Sequence, residues 1–97
     1  MVLKPDPHAL ASFRATYDNE ASRTSTLIEL VTQDRPGLLY DVASLFSKHG
    51  GNIEVVLVDT EAKKAIDVFY VTKSGAKLTD EDARQMVAAL AHVAKPS

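Results

Sequence analysis

The 97-residue sequence contains no cysteine. This absence excludes disulfide bonds, thiolate nucleophiles and zinc–thiolate sites, and it is compatible with a reducing compartment. The sequence also has no apolar run near the ~18–20 residues that a membrane-spanning helix requires. Its first ten residues include two prolines and an aspartate where a secretory signal would have an apolar stretch. We therefore expect a soluble cytoplasmic protein with no membrane partner.

The sequence has no excess of basic charge. It contains 11 Lys and Arg residues and 13 Asp and Glu residues, which gives a formal net charge of −2. A chain of this kind lacks the positive field that attracts a phosphate backbone, so we expect no nucleic-acid partner.

Residues that could carry catalysis or bind a metal are scattered. His8, His49 and His92 are far apart and do not have the spacing of metal ligands. The acidic cluster at 80–82 is accounted for by the start of a helix, where the helix dipole favours negative charge. The sequence therefore predicts no metal, no cofactor and no catalytic constellation.

Apolar periodicity predicts six elements in the order β-β-α-β-β-α. The first helix begins with Pro36 at its first position and ends at about His49, before a pair of glycines. Alternating or continuous apolar runs predict four strands, and a 3.6-residue period predicts the second helix. The predicted ranges are 12–19, 26–33, 52–60 and 65–72 for the strands and about 80–93 for the second helix.

These elements predict one domain over residues 12–93. Two prolines within residues 1–11 indicate a flexible N-terminal lead-in, and residues 94–97 form a short C-terminal tail.

The connections between the elements predict the topology. The second strand, first helix and third strand form a right-handed crossover with room for one strand between the two parallel strands. The fourth strand fills this gap as the second arm of a hairpin, and the first strand pairs with the outer side of the second. The result is an α+β fold, with a four-stranded antiparallel sheet in the order one, two, four, three and two helices on one face.

The second face of this predicted sheet has no cover. We expect Leu27 and Val31, together with Val56 and Val58, to give this face apolar character. An uncovered apolar face predicts association, and a homodimer is the simplest form that it can take.

A motif at the junction between the second strand and the first helix resembles the hallmark of the ACT domain family. The hallmark is carried here by Asp-Arg-Pro-Gly-Leu-Leu at 34–39 and by Gly-Gly-Asn-Ile at 50–53, in the family's order and spacing. ACT domains are small ferredoxin-like regulatory modules that bind amino acids at subunit contacts. Whereas a typical ACT domain runs β-α-β-β-α-β and ends with an edge strand, here the strand at 12–19 would occupy that edge.

A narrower resemblance is carried by YDNEAS (17–22), DRPGLLYDV (34–42) and AIDVFYVT (65–72). These segments are similar to the C-terminal ACT module of the uridylyltransferase/uridylyl-removing enzyme family of bacterial nitrogen control, in which the module takes part in glutamine sensing. The nucleotidyltransferase and His-Asp signatures of that family's catalytic regions do not occur here. The resemblance therefore implies regulation and not catalysis.

The junction at 34–39 is the predicted ligand site. Gly37 either permits a tight turn or lets a ligand approach the free N–H groups of the first helical turn, which would bind an α-carboxylate. Asp34 either interacts favourably with the positive end of the helix dipole or accepts a hydrogen bond from an α-ammonium group. The resemblance implies that Asn52 reaches the ligand from a neighbouring subunit. The full predicted set is Thr32, Gln33, Asp34, Pro36, Gly37, Leu38, Leu39, Asn52 and Ile53.

The predicted function is amino-acid sensing by a regulatory domain, linked to nitrogen or amino-acid metabolism, with glutamine as the first ligand to test. One alternative is a protein-docking module with a vestigial ligand site that contacts a regulated enzyme; another is a fragment of a larger uridylyltransferase-like enzyme. Two charged residues receive no ligand role. We expect Arg35 to be solvated or in a salt bridge, and Asp67 to face solvent or to pair with Lys64 or Arg14.

Overall fold

The structure, a computed structural model, describes residues 13–94. The observed order β-β-α-β-β-α agrees with the predicted order. The elements are β1 (Arg14–Asp18), β2 (Thr26–Gln33), α1 (Leu38–Lys48), β3 (Asn52–Glu61), β4 (Lys64–Thr72) and α2 (Asp80–Ala94). The predicted N-terminal lead-in and residues 95–97 of the predicted tail lie outside the described residues, whereas Ala94 is the last residue of α2.

The four strands form one antiparallel sheet in the order β1-β2-β4-β3, as predicted. The central pair, β2 and β4, is in register from Thr26 opposite Val71 to Gln33 opposite Lys64. The strand β1 pairs with the outer side of β2 and occupies that edge, and β3 forms the opposite edge. This arrangement confirms the α+β, ferredoxin-like fold.

The core lies between one face of the sheet and the two helices. Alternate residues of β2 and β4 point into it, because successive side chains of a strand point to opposite faces. At its centre the rings of Phe46 on α1 and Phe69 on β4 meet edge to face, with centroids 5.3 Å apart. The other fully buried residues of this core include Ile28, Leu30, Val42, Val71, Ala83, Met86 and Leu90. Both helices therefore cover the same face of the sheet.

The predicted membership of the uncovered face is partly wrong. Leu27 and Val31 lie on that face, but Val56 and Val58 pair with β4 residues that point towards the helices. A β-bulge between Ile53 and Val55 adds one residue to β3 and reverses the alternation beyond it.

The uncovered face of β3 is instead formed by Val55 and Leu57. Val56 and Val58, on the helix side, are also exposed, because β3 is an edge strand that the helices cover only in part.

The first helix starts two residues later than predicted. Its N-cap is Gly37, which has a left-handed backbone conformation with φ +79°. This conformation is not helical, so Pro36 lies in the turn and α1 begins at Leu38. The end of α1 at Lys48, with His49 as its C-cap, agrees with the prediction.

The second helix begins as predicted, with the Thr79 hydroxyl accepting a hydrogen bond from the Asp82 N–H at 3.1 Å. Among the described residues, neither helix has the length and apolar character needed to span a membrane.

Candidate ligand site at the start of the first helix

A pocket lies at the end of the sheet where β2 leads into α1. Its volume is about 180 Å³. The turn and the first residues of α1 form one wall, from Asp34 to Tyr40, and the opposite wall comes from Val58 and Thr60 on β3 with Ala65 and Asp67 on β4. The volume is below the ~300–1,000 Å³ of pockets for drug-sized ligands, so the pocket suits a molecule of amino-acid size.

The backbone of the turn is held by hydrogen bonds that leave part of the helix end free. The Asp34 N–H donates to the carbonyl of Lys63 at 2.8 Å, which ties the end of β2 to the β3–β4 turn. The Leu38 N–H donates to the carbonyl of Arg35 at 3.3 Å. Within the described residues, no acceptor meets the N–H groups of Leu39 and Tyr40. The free donors within α1 are thus these two residues, one position later than the predicted pair of Leu38 and Leu39.

Gly37 allows the backbone to make the turn that leads into α1. At a φ of +79°, residues other than glycine are strained, because their Cβ atom approaches the backbone too closely. The turn can therefore bring the first N–H groups of α1 to the pocket without a side chain between them. The positive end of the helix dipole favours an anion at this point.

Arg35 does not offer a free cation to the pocket. Its guanidinium donates to the Asp41 carboxylate at 2.7 Å and to the carbonyl of Val93 at 2.9 Å. A third hydrogen bond, to the carbonyl of Pro36, has a length of 3.1 Å. The expectation of a salt bridge is confirmed, and the same side chain links the turn to the last helical turn of α2.

Asp67 was assigned the wrong environment from the sequence. Its side chain is 1% exposed and lies on the helix side of the sheet. Asp67 pairs with Leu30 on β2 and with Val58 on β3, so it lies between these two residues. Its Oδ1 atom has no hydrogen-bond partner among the described residues. Arg14, one of the expected partners, instead forms an ion pair with Glu29 at 3.1 Å. Asp67 lines the pocket, although it is not among the predicted site residues. Its position in the alternating pattern of β4 is the same as that of the buried residues of this strand.

The buried position of Asp67 changes its acid–base behaviour. Burial raises the pKa of the Asp67 carboxyl above its ordinary value, and the nearby charge of Asp34 raises this pKa further. Two carboxyl groups therefore line one pocket: Asp67 lies on the wall opposite the free N–H groups of α1, and Asp34 lies at the exposed end of the same wall as those groups. The pocket thus combines N–H donors that attract an anion with two carboxyl groups that attract a cation. In the described part of the chain, no group of three or more His, Asp or Glu side chains could hold a metal ion.

The predicted site residues are only partly brought together in one chain. Asp34, Gly37, Leu38 and Leu39 line the pocket. Three neighbours of this group have other surroundings: Thr32 is buried, while Gln33 and Pro36 are exposed beside the pocket.

The last two predicted residues lie at the other end of β3. Asn52 and Ile53 are about 25 Å along the strand from Thr60, at ~3.3 Å per residue. The Asn52 amide donates to the carboxylate of Glu54, which also accepts a hydrogen bond from the Thr72 hydroxyl at 2.8 Å. Within one chain Asn52 cannot reach the pocket, and its contribution from a second subunit stays a prediction.

Comparisons with known proteins agree with this fold. A family model described as "ACR9-like, ACT-like domain" matches residues 14–94. Bifunctional uridylyltransferase/uridylyl-removing enzymes are among the similar proteins. The enzyme of Azospirillum brasilense is 44% identical over 70 residues, which are 71% of this chain and 8% of that protein. The enzyme of Phenylobacterium zucineum is 47% identical over 64 residues, 65% of this chain and 7% of the relative.

A third relative, the same enzyme of Gluconobacter oxydans, is 44% identical over 68 residues, 69% of this chain and 7% of that protein. The chain thus spans less than a tenth of the length of these relatives. The family model, in contrast, covers nearly all of the described residues. This chain belongs to the family of ACT-like domains.

Proposed function

We propose that this chain is a regulatory domain that senses a free amino acid and has no catalytic activity of its own. The observation that carries the proposal is the pocket at the start of α1, which combines free N–H donors with two carboxyl groups. In this proposal the ligand's α-carboxylate binds the N–H groups of Leu39 and Tyr40, and its α-ammonium group lies on the acidic side, towards Asp34. A zwitterion satisfies the N–H donors and the carboxylate acceptor at once.

L-Glutamine is the first ligand to test, because the sequence resembles modules that take part in glutamine sensing in nitrogen control. The affinity for so small a ligand should be modest, from about micromolar to millimolar, because few atoms contribute to binding. A domain that responds in this range would report the level of a free metabolite to an enzyme of nitrogen or amino-acid metabolism.

We further propose that the domain acts as a homodimer whose subunits pair along β3. The exposed fractions of Val55, Val56, Leu57 and Val58 are 46%, 42%, 53% and 54%, and these residues lie on an edge strand with unpaired backbone groups. Pairing such edges about a two-fold axis is antiparallel and covers these side chains.

Antiparallel pairing centred on residues 56 and 57 would also complete the site. The beginning of β3 in the second copy would then lie beside Thr60 in the first copy, at the rim of the pocket. This position supports the prediction that Asn52 and Ile53 contact the ligand from the second subunit. A ligand held between two copies would favour one subunit arrangement, by no more than its difference in affinity for the two arrangements.

Two alternatives have an observation in their favour. The uncovered sheet face, with Leu27, Val55 and Leu57, supports a docking module that binds a regulated enzyme without a ligand. The small share of each relative that the chain spans supports a fragment of a larger uridylyltransferase-like enzyme. In the second alternative the pocket would perform the same sensing within a longer protein.

Isothermal titration calorimetry with the proteinogenic amino acids tests the sensor proposal. We expect saturable heat with glutamine or another amino acid in the micromolar to millimolar range. Asn52→Ala should weaken this binding, and Glu20→Gln, a change at an exposed residue outside the pocket and outside β3, should not. The absence of heat with every amino acid at millimolar concentration would reject the sensor proposal and leave the docking module.

Sedimentation equilibrium tests the homodimer. We expect the wild type to sediment as a dimer and Leu57→Lys, which places a charge on the exposed edge strand, to sediment as a monomer. A monomeric wild type with amino acid present would contradict pairing along β3.

A further inference from the structure

Asp67 stands out in the core because it is the one side chain of β4's buried row that is charged. The other members of this row are Ala65, Phe69 and Val71, all apolar and nearly inaccessible to solvent. Asp67 is 1% exposed and lines the pocket, yet its Oδ1 atom has no hydrogen-bond partner among the described residues. A buried polar group without a partner destabilises the folded state, so a purely structural role does not account for it.

The charged groups around Asp67 do not neutralise it. Asp34, across the pocket, carries the same charge. Arg35 is on the same wall as Asp34, but its guanidinium hydrogen bonds go to Asp41, Pro36 and Val93. The residues that face Asp67 from β2 and β3 are Leu30 and Val58, which are apolar. The pocket therefore holds a buried acceptor that is complementary to a cation or to an N–H donor supplied from outside the chain.

We propose that Asp67 binds the α-ammonium group of the amino acid and makes the pocket selective for ligands with a primary amine. This inference rests on the proposed function and adds a specificity-determining residue to it. Asp67 lies at the buried wall of the pocket, while Asp34 lies at its exposed rim. A ligand's ammonium group would donate to Asp67, and its carboxylate would accept from the first turn of α1.

The location of Asp67 makes it a stronger discriminator than Asp34. A hydrogen bond between charged groups is strengthened where water is excluded, and a buried acceptor left without its donor is costly. Removal of either partner should lower the affinity by about 10- to 100-fold, which is the range for a charge-assisted hydrogen bond. At the exposed Asp34, water competes for the ammonium group, so the loss should be smaller.

The test compares two ligands on four proteins by isothermal titration calorimetry. The ligands are L-glutamine and 4-carbamoylbutanoic acid, which is glutamine without its α-amino group; if another proteinogenic amino acid binds the wild type, its deaminated counterpart replaces the second ligand. The proteins are the wild type, Asp67→Asn, Asp67→Ala as a second variant, and the control Glu20→Gln, at an exposed residue outside the pocket and outside β3. Circular dichroism verifies that each variant is folded.

We expect the wild type to prefer the amino acid over the deaminated ligand by about 10- to 100-fold. Asp67→Asn should lose most of this preference, by weaker binding of the amino acid, while Glu20→Gln retains it. If both folded Asp67 variants bind the amino acid as tightly as the wild type, Asp67 is not the ammonium-binding residue, although the sensor function stands. If the wild type binds no amino acid, the sensor function fails and the role of Asp67 fails with it.

Discussion

Replacement of Asp67 by asparagine should stabilise the folded domain at neutral pH, although the same change weakens ligand binding. Asp67 is 1% exposed, and its Oδ1 atom lacks a partner among the described residues. A buried polar group left unsatisfied costs about 1–3 kcal/mol, and an unpaired charge costs more. Asparagine has nearly the same shape without the charge, so we expect the free energy of unfolding to rise by about 1–2 kcal/mol at pH 7.

The effect of Asp67→Asn should depend on pH in one direction. Burial, and secondarily the charge of Asp34, raises the pKa of Asp67 in the folded state. The folded state therefore binds the proton more tightly than the unfolded state, in which the pKa is about 3.9. Consequently the wild type loses stability as the pH rises from the unfolded-state pKa through the raised folded-state pKa, and the loss is constant above that range. The advantage of Asp67→Asn should grow over the same range.

Urea denaturation followed by circular dichroism at intervals from pH 4 to pH 8, without ligand, measures this difference. For a domain of this size, ~1 kcal/mol corresponds to a shift of roughly 4–8 °C in Tm, so thermal melts provide a second readout. Glu20→Gln is the matched control, because Glu20 is exposed and lies outside both the pocket and β3. A variant Asp67→Asn that is less stable than the wild type at pH 7, or a difference that does not change with pH, would refute the assignment of Asp67 as a buried, unpaired carboxyl.

Three further substitutions test the packing around the site. Phe46→Ala should lower the free energy of unfolding in urea by about 3–5 kcal/mol, because it leaves a cavity at the centre of the core. Gly51→Ala should cost about 1–3 kcal/mol in the same assay, because the added Cβ would lie 3.1 Å from the backbone carbonyl oxygen of Phe46 and 3.2 Å from the Cγ1 of Val71; a neutral result in either case would contradict the packing described. Arg35→Lys should lose the hydrogen bond to the carbonyl of Val93, which lowers the free energy of unfolding by about 1 kcal/mol. Amide hydrogen exchange in the last turn of α2 should then become faster, and unchanged exchange there would contradict a role for this hydrogen bond.

The strands and their order could be predicted from the sequence because local patterns and chain connectivity agree. The second strand was predicted with its observed bounds, since its apolar residues and the turn signal at Pro36 and Gly37 both limit it. The crossover rule and the hairpin then leave one place for β4, between β2 and β3.

Two local features of the fold could not be predicted from the pattern. The bulge between Ile53 and Val55 occurs in a stretch rich in β-branched residues. The two faces of β3 therefore have similar hydrophobicity, and the sequence pattern does not show where the alternation reverses. Likewise, Pro36 is compatible with a first helical position, and only the left-handed conformation of Gly37 moves the start of α1 to Leu38.

The candidate site was predicted in part. The motif at 34–39 led to the turn, and Asp34, Gly37, Leu38 and Leu39 do line the pocket. Asp67 was missed because a carboxylate in an apolar strand is normally expected to face solvent, and this expectation outweighed its phase in the strand. A sequence pattern also cannot tell whether Asn52 meets the site across a subunit interface, because it describes one chain only.

Two-dimensional ¹H–¹⁵N NMR during a titration with L-glutamine tests the central claim most directly, because it reports each backbone amide separately. We predict progressive shifts of the Leu39 and Tyr40 amides and of the amide of Asp67, together with that of Asn52 if the second subunit completes the site. Shifts confined to the uncovered sheet face, or no shift with glutamine or any other amino acid at millimolar concentration, would contradict an amino-acid site at the start of the first helix.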